Sequence, residues 1–284
     1  MTLIARSTLK HILLVICFVT LSACSLLDTI SPDNDVDEQA NWSAATFYKE
    51  AKKELDSENY GKAVELYEAL ESRYPFGSYA QQAQIDLAFT YYKNDEPESA
   101  LATANRFIRI HPRHKSIDYI YYLKGLINFN RGIGLLERFL PTDKSQRDPG
   151  AALESLDDFA TLIRRFPNSQ YVADSKQRII SLQSNLALHD LNVANYYMKR
   201  KAHIAAINRA KHIIEAYPKT TAVPRALQLM VTAYQHIGMN DLAADAQRIY
   251  SLNYPNGLPP IDNPKFAEEK TISEKVWQYL ELDQ

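Results

Sequence analysis

The chain is poor in several things that other folds depend on. Cysteine occurs twice in 284 residues, at Cys17 and Cys24. That excludes a disulfide-stapled scaffold, and it excludes a zinc site built mainly from thiolates. Glycine occurs eight times, well under the ordinary share of about 7%. A turn-rich β fold is therefore disfavoured, and there is no glycine-rich phosphate loop. Charge of neither sign dominates: 32 Lys and Arg stand against 34 Asp and Glu, a formal net charge of −2. No basic surplus points to nucleic acid. HExxH, GxSxG and Walker patterns are missing, and the histidines (His111 and His114, His203 and His212, His189, His236) have no metal-ligand spacing. What is plentiful is Ala, Leu, Glu, Gln and Lys, the residues of helices.

The first 23 residues read as a signal peptide. Arg6, Lys10 and His11 lead an apolar run from Ile12 to Ala23. Twelve residues at about 1.5 Å each cover roughly 18 Å, short of the roughly 30 Å hydrocarbon core, so the run does not span a bilayer as a helix. Its exit, Leu21-Ser22-Ala23-Cys24, resembles the bacterial lipobox, which makes Cys24 the expected lipidation site. Acyl chains add about 0.8 kcal/mol per buried methylene, and several chains on Cys24 give a durable anchor in a lipid bilayer where one alone is marginal. With Cys17 removed and Cys24 acylated, no disulfide remains to be made. Residues 24–41 read as a lipidated tether. From Ser25 onward they carry five acids without helical periodicity.

The body repeats a short phrase: SRYP at 72–75, RIHP at 109–112, RRFP at 164–167, EAYP at 215–218 and LNYP at 252–255. Twelve residues before each proline stands a small residue: Ala63, Ala100, Ser155, Ala206 and Ala243. Twenty-four before come Ala51, Ala88, Ala194 and Val231, and twenty-one before come Tyr91, Tyr197 and Tyr234, with Glu54 the exception. Small residues allow two antiparallel helices to cross closely, and proline stops the second helix. A helix pair repeated about every 34 residues is the mark of a tetratricopeptide array. The expected fold is all-α, a tetratricopeptide-repeat solenoid of five helix pairs.

The prolines are 37, 55, 51 and 37 residues apart, so two repeats carry insertions. In the third, Gly125 takes the small slot and the surplus falls on 132–150, read as a loop. In the fourth, no Pro or Gly interrupts the chain from Pro167 to Pro218, which predicts a long helix near 169–200. The expected halves are 42–167, with repeats one to three, and 168–255, with repeats four and five. In the extension 256–284, Ile272, Val276, Tyr279 and Leu280 share a helical face suited to a terminal cap.

The first helix of each pair offers a face turned away from its small slot. That face holds Tyr48, Lys52 and Leu55 in the first repeat and Ile85, Phe89 and Tyr92 in the second. In the third it holds Tyr119, Tyr122, Leu126 and Phe129. Such a strip suits an extended apolar peptide; the competing expectation is that the rings pack between helices.

Four stretches go beyond generic repeats: RYPFGSYAQQAQIDLAFTYYKN (73–94), RFIRIHPRHKSIDYIYYLKGL (106–126), DKSQRDP (143–149) and RRFPNSQYVADSKQR (164–178). They resemble the BamD family, lipoproteins of the outer-membrane β-barrel assembly (BAM) machinery, over about residues 42–254. The resemblance implies an outer-membrane scaffold with no catalysis and no cofactor. It implies attachment to BamA through the last POTRA domain by the carboxyl-terminal repeats, and company with other BAM lipoproteins. The amino-terminal repeats would receive unfolded outer-membrane protein substrates. Arg209, in AAINRAK, matches an arginine that family members direct at BamA, and Ser25 after the lipid cysteine implies the periplasmic face of the outer membrane. A tetratricopeptide lipoprotein of pilus or polysaccharide export shares the anchor and repeats but not these stretches.

Overall fold

The computed structural model describes residues 39–131 and 148–259, and every regular element among them is an α-helix. Ten are present. They are α1 (Ala44–Asp56), α2 (Tyr60–Arg73), α3 (Ser78–Lys93), α4 (Pro97–Ile110), α5 (Ile117–Asn130), α6 (Gly150–Arg165), α7 (Val172–Lys199), α8 (His203–Ala216), α9 (Val223–His236) and α10 (Asn240–Asn253). Each packs on its neighbours in sequence. Alternate helices also touch, α1 with α3, α3 with α5, and α7 with α9. Signal peptide, lipidation site and the 256–284 extension beyond Pro259 lie outside the described residues, as does most of the expected 132–150 loop. Gly150, placed in that loop from sequence, opens α6.

The proline phrases end the second helix of each hairpin in one geometry. Tyr74, His111, Phe166, Tyr217 and Tyr254 all adopt φ between −131° and −123° and ψ between 51° and 67°. Each N–H still reaches back to the carbonyl four residues earlier, at 2.8–2.9 Å. The proline that follows bars its predecessor from the helical region, so the helix ends there and the chain turns.

The turn between the two helices of a hairpin repeats as well. Glu58, Asp95, Lys201 and Gly238 all have positive φ, 58° to 75°, two residues past the end of α1, α3, α7 and α9. The following residue donates to the carbonyl of Glu54, Tyr91, Tyr197 or Tyr234, 2.9 Å in every case. This is the Schellman closure, which satisfies carbonyls a helix end would otherwise leave unpaired. The residues found twenty-one before each proline, the three tyrosines and the exceptional glutamate, are thus the acceptors of one repeated backbone bond.

The small slots are buried. Ala51, Ala63, Ala88, Ala100, Ser155, Ala194 and Ala206 have no exposed surface, and Ala243 very little. Val231 is the departure, half-buried in α9. The core forms three apolar clusters along the array: Phe47, Tyr67 and Leu70 across α1–α3; Phe107, Ile120 and Leu123 across α3–α6; Leu186, Ile213 and Leu227 across α7–α9. A fully buried side chain of this size contributes about 1.5–3 kcal/mol. Helix α7 runs 28 residues, against 13–16 for the others. It packs on α6, α8 and α9, and carries Ala194 into the cluster it shares with α8 and α9.

Candidate functional site

A cavity of about 670 Å³ opens between α1, α3, the start of α5 and the turn before α7. Its floor is apolar, with Leu55 and Ile85 only 7% and 3% exposed and Phe89, Tyr119 and Tyr171 half-buried. Its rim is charged with both signs, from Lys52, Lys93 and Lys115 to Asp56, Glu58 and Asp118. Lys52 pairs with Asp56 at 2.9 Å, and the Lys93 ammonium stands 5.5 Å over the Tyr60 ring.

Asp86 is the unusual group on the floor. It has no ion pair in the described structure; it accepts hydrogen bonds from Tyr48 Oη at 2.8 Å and Gln82 Nε2 at 3.0 Å. Burial pushes its carboxyl above the usual range, against those two bonds and the Lys52 charge, which pull the other way. The Tyr48 phenol is pushed up by its own burial and then by Asp86. Tyr119 is pushed up by burial first and by Tyr171 next.

The ten residues expected on one strip divide. Lys52, Leu55, Ile85, Phe89 and Tyr119 line this groove, Leu55 and Ile85 as core rather than open surface. Tyr48 lies behind the floor, orienting Asp86. Tyr92 accepts from Asn130 Nδ2 at 2.6 Å, and the Leu126 carbonyl accepts from the same amide at 3.1 Å. Tyr122 stacks on Tyr171 at 4.6 Å and donates to Asp174 at 2.7 Å. Phe129 lies under the Arg178 guanidinium, 5.0 Å away, and lines a separate cavity of about 60 Å³. Those side chains bind helix to helix: Tyr92 bridges α3 to α5, and the start of α7 with the turn before it reaches Tyr122 and Phe129 on α5.

Sequence reasoning missed Gln82, Asp86 and Lys93. They continue the Ile85–Phe89 stripe at helical spacing, so the signal was present but polar. Lys115 and Tyr171 come from connections and carry no such signal. The arrangement, an apolar floor with a few fixed polar groups, suits an extended peptide. No set of three or more His, Cys, Asp or Glu among the described residues could hold a metal ion.

Arg209 lies on α8, far along the chain from the groove. Its Nη1 bonds Asp190 Oδ1 at 2.9 Å, and the side chain stays 40% exposed. His212 Nδ1 meets the other oxygen of Asp190 at 2.7 Å.

These features define a class: an all-helical repeat protein with an apolar-floored, charge-rimmed groove across α1, α3 and α5. A family model described as YfiO, outer membrane lipoprotein, matches residues 40–249, from just before α1 into α10. The chain is 44% identical over 248 residues to the outer membrane protein assembly factor BamD of Neisseria meningitidis serogroup A, covering 87% of this chain and 92% of that one. The same protein of Neisseria gonorrhoeae matches at 44% with the same coverage. That of Vibrio cholerae matches at 37% over 233 residues, 82% of this chain and 96% of that one. The chain belongs to the YfiO family of outer membrane lipoproteins.

Proposed function

We propose that this protein is an outer-membrane protein assembly factor. It acts as a scaffold, held by acyl chains on Cys24 at the periplasmic face of the outer membrane, that binds BamA and helps receive unfolded β-barrel proteins. The observation that carries the reading is the 44% identity over 92% of a relative named as assembly factor BamD. In this reading the ten helices are five tetratricopeptide pairs. The repeated proline caps and Schellman turns support that division. The groove across α1, α3 and α5 takes an extended segment of substrate, and α8 with Arg209 faces the last POTRA domain of BamA, other BAM lipoproteins completing the assembly.

The test is affinity purification of the natively expressed protein from solubilised envelopes. Co-purification of a BamA-like barrel protein, with loss of outer-membrane porins on depletion, is the expected outcome. Recovery of no such protein, with porins at normal levels after depletion, rejects the reading. Mass spectrometry of the amino-terminal peptide is expected to find an acylated Cys24, and Cys24→Ser is expected to release the protein from the membrane fraction.

A further inference from the structure

Only two acids among the described residues are buried, Asp158 and Asp190, and they are held in different ways. Asp158 is closed in: Lys124 Nζ reaches it at 3.0 Å and Asn128 Nδ2 at 2.8 Å, both from side chains largely out of water. That network joins α5 to α6 and offers nothing outward. Asp190, 5% exposed on α7, is held from the solvent side. Its donors are Arg209, 40% exposed, and His212, 52% exposed, three residues apart and so on one face of α8. Its charge also reaches Tyr217, whose phenol is pushed up by burial first and by Asp190 second, while His212 lies edge-on to that ring at 5.6 Å.

An Arg side chain carries five N–H donors in a rigid planar fork. The bond to Asp190 occupies Nη1, fixes the plane of the guanidinium and leaves the other donors on a partly exposed side chain. An unrestrained arginine at a protein surface samples many rotamers and loses them on binding. One held by a buried carboxylate has lost them already.

We propose that Asp190 is a positioning residue. It holds the Arg209 fork in the orientation that receives a carboxylate of a folded protein partner, and His212 completes the hold by occupying the second Asp190 oxygen. The proposal rests on the reading of Arg209 as a partner contact. It also carries a competing physical effect, because the Asp190 charge partly cancels that of Arg209 and on that account alone would weaken attraction to an acid. Preorganisation and neutralisation therefore predict opposite signs for one substitution.

The experiment measures binding of the full-length lipoprotein to purified full-length BamA of the same organism in detergent, with Asp190→Asn, Arg209→Ala, Arg209→Lys and the double variant Asp190→Asn/Arg209→Ala. Thermal melting of each is recorded beside it. Asp190→Asn keeps size and one acceptor and is expected to weaken binding about two- to twelvefold, the immobilisation of one long side chain. In the Arg209→Ala background the same substitution is expected to change nothing further, since it acts only through that arginine. Arg209→Lys, a point charge without a fork, is expected to bind as weakly as Arg209→Ala. Tighter binding by Asp190→Asn, an equal loss in both backgrounds, or full binding by Arg209→Lys overturns the positioning role and leaves Arg209 as a contact. Unchanged affinity for Arg209→Ala removes the arginine from the interface and the proposal with it.

Discussion

The ring of Phe159 on α6 lies against the Cα of Gly125 on α5, so close that a Cβ at position 125 would overlap three of its carbon atoms. Phe159 is fully buried and has no room to retreat. Ser155, one turn earlier on α6, donates to the Gly125 carbonyl at 2.9 Å and sets the same approach. Gly125→Ala therefore overpacks the site. A loss of about 1–3 kcal/mol is expected, read as a fall in melting temperature of about 2–4 °C per kcal/mol for a chain of this size. Adding Phe159→Leu to Gly125→Ala is expected to recover part of that loss. An unchanged melting temperature for Gly125→Ala would mean that α5 and α6 separate freely.

The Schellman turns predict a pair of opposite effects. Lys201 sits at φ 58° and Gly238 at φ 75°, in equivalent turns after α7 and α9. A left-handed conformation costs a residue with a Cβ about 1–2 kcal/mol, part of which glycine gives back through the greater freedom of the unfolded chain. Lys201→Gly is expected to raise the melting temperature by a few degrees. Gly238→Ala is expected to lower it, and since nothing lies within 4 Å of a Cβ there, the backbone conformation alone is responsible. Shifts of the same sign for both would refute the shared turn geometry.

Asp86 gives a pH-dependent prediction. Its carboxyl is raised above the ordinary range, with burial the main cause, so the folded state holds this proton more tightly than the unfolded chain does. Where the native state binds more protons, stability falls as pH rises, and the full penalty stands above the raised value. Asp86→Asn removes the charge while the amide oxygen still accepts from Tyr48. The variant is expected to melt higher than the parent at neutral pH. The advantage should shrink as pH falls toward the ordinary carboxylate range, where the parent is protonated too. A gain that persists unchanged into acid would show that burial of the charge is not its source.

The hairpins were legible from sequence because their determinants are local. A proline acts on the residue beside it, and a small residue twelve positions earlier acts on the one helix crossing it, so fixed offsets carried the message. Helix α7 was legible by the lack of any breaker between Pro167 and Pro218. The groove was legible only in part, because a helical face can be assigned from one helix but its cover cannot. Tyr122 has the same spacing as Tyr119, yet Tyr171, which stacks on it, arrives 49 positions later from the connection between α6 and α7. The ion pair of Arg209 was likewise hidden from sequence, since Asp190 lies on a different helix. The polar members of the groove were overlooked for a third reason: a search for apolar and aromatic residues passes over a half-buried acid such as Asp86.

Phe89 and Tyr122 now separate the groove from the scaffold around it. Phe89 lines the cavity between α3 and α5, whereas Tyr122 is engaged by Tyr171, Asp174 and the nearby Phe159 ring. Each packs against buried core, so each alanine substitution is expected to lower the melting temperature. Only Phe89→Ala is expected to weaken capture of a peptide from the terminal strand of an outer-membrane β-barrel. A drop of about tenfold is expected, the scale of a buried aromatic anchor at an interface, when capture is measured well below either melting point. Tyr122→Phe keeps the ring stack and loses only the bond to Asp174, so it should capture peptide as the parent does and melt slightly lower. Equal loss of capture for Tyr122→Phe and Phe89→Ala would extend the peptide's path beyond the 670 Å³ groove, over Tyr122 and the start of α7.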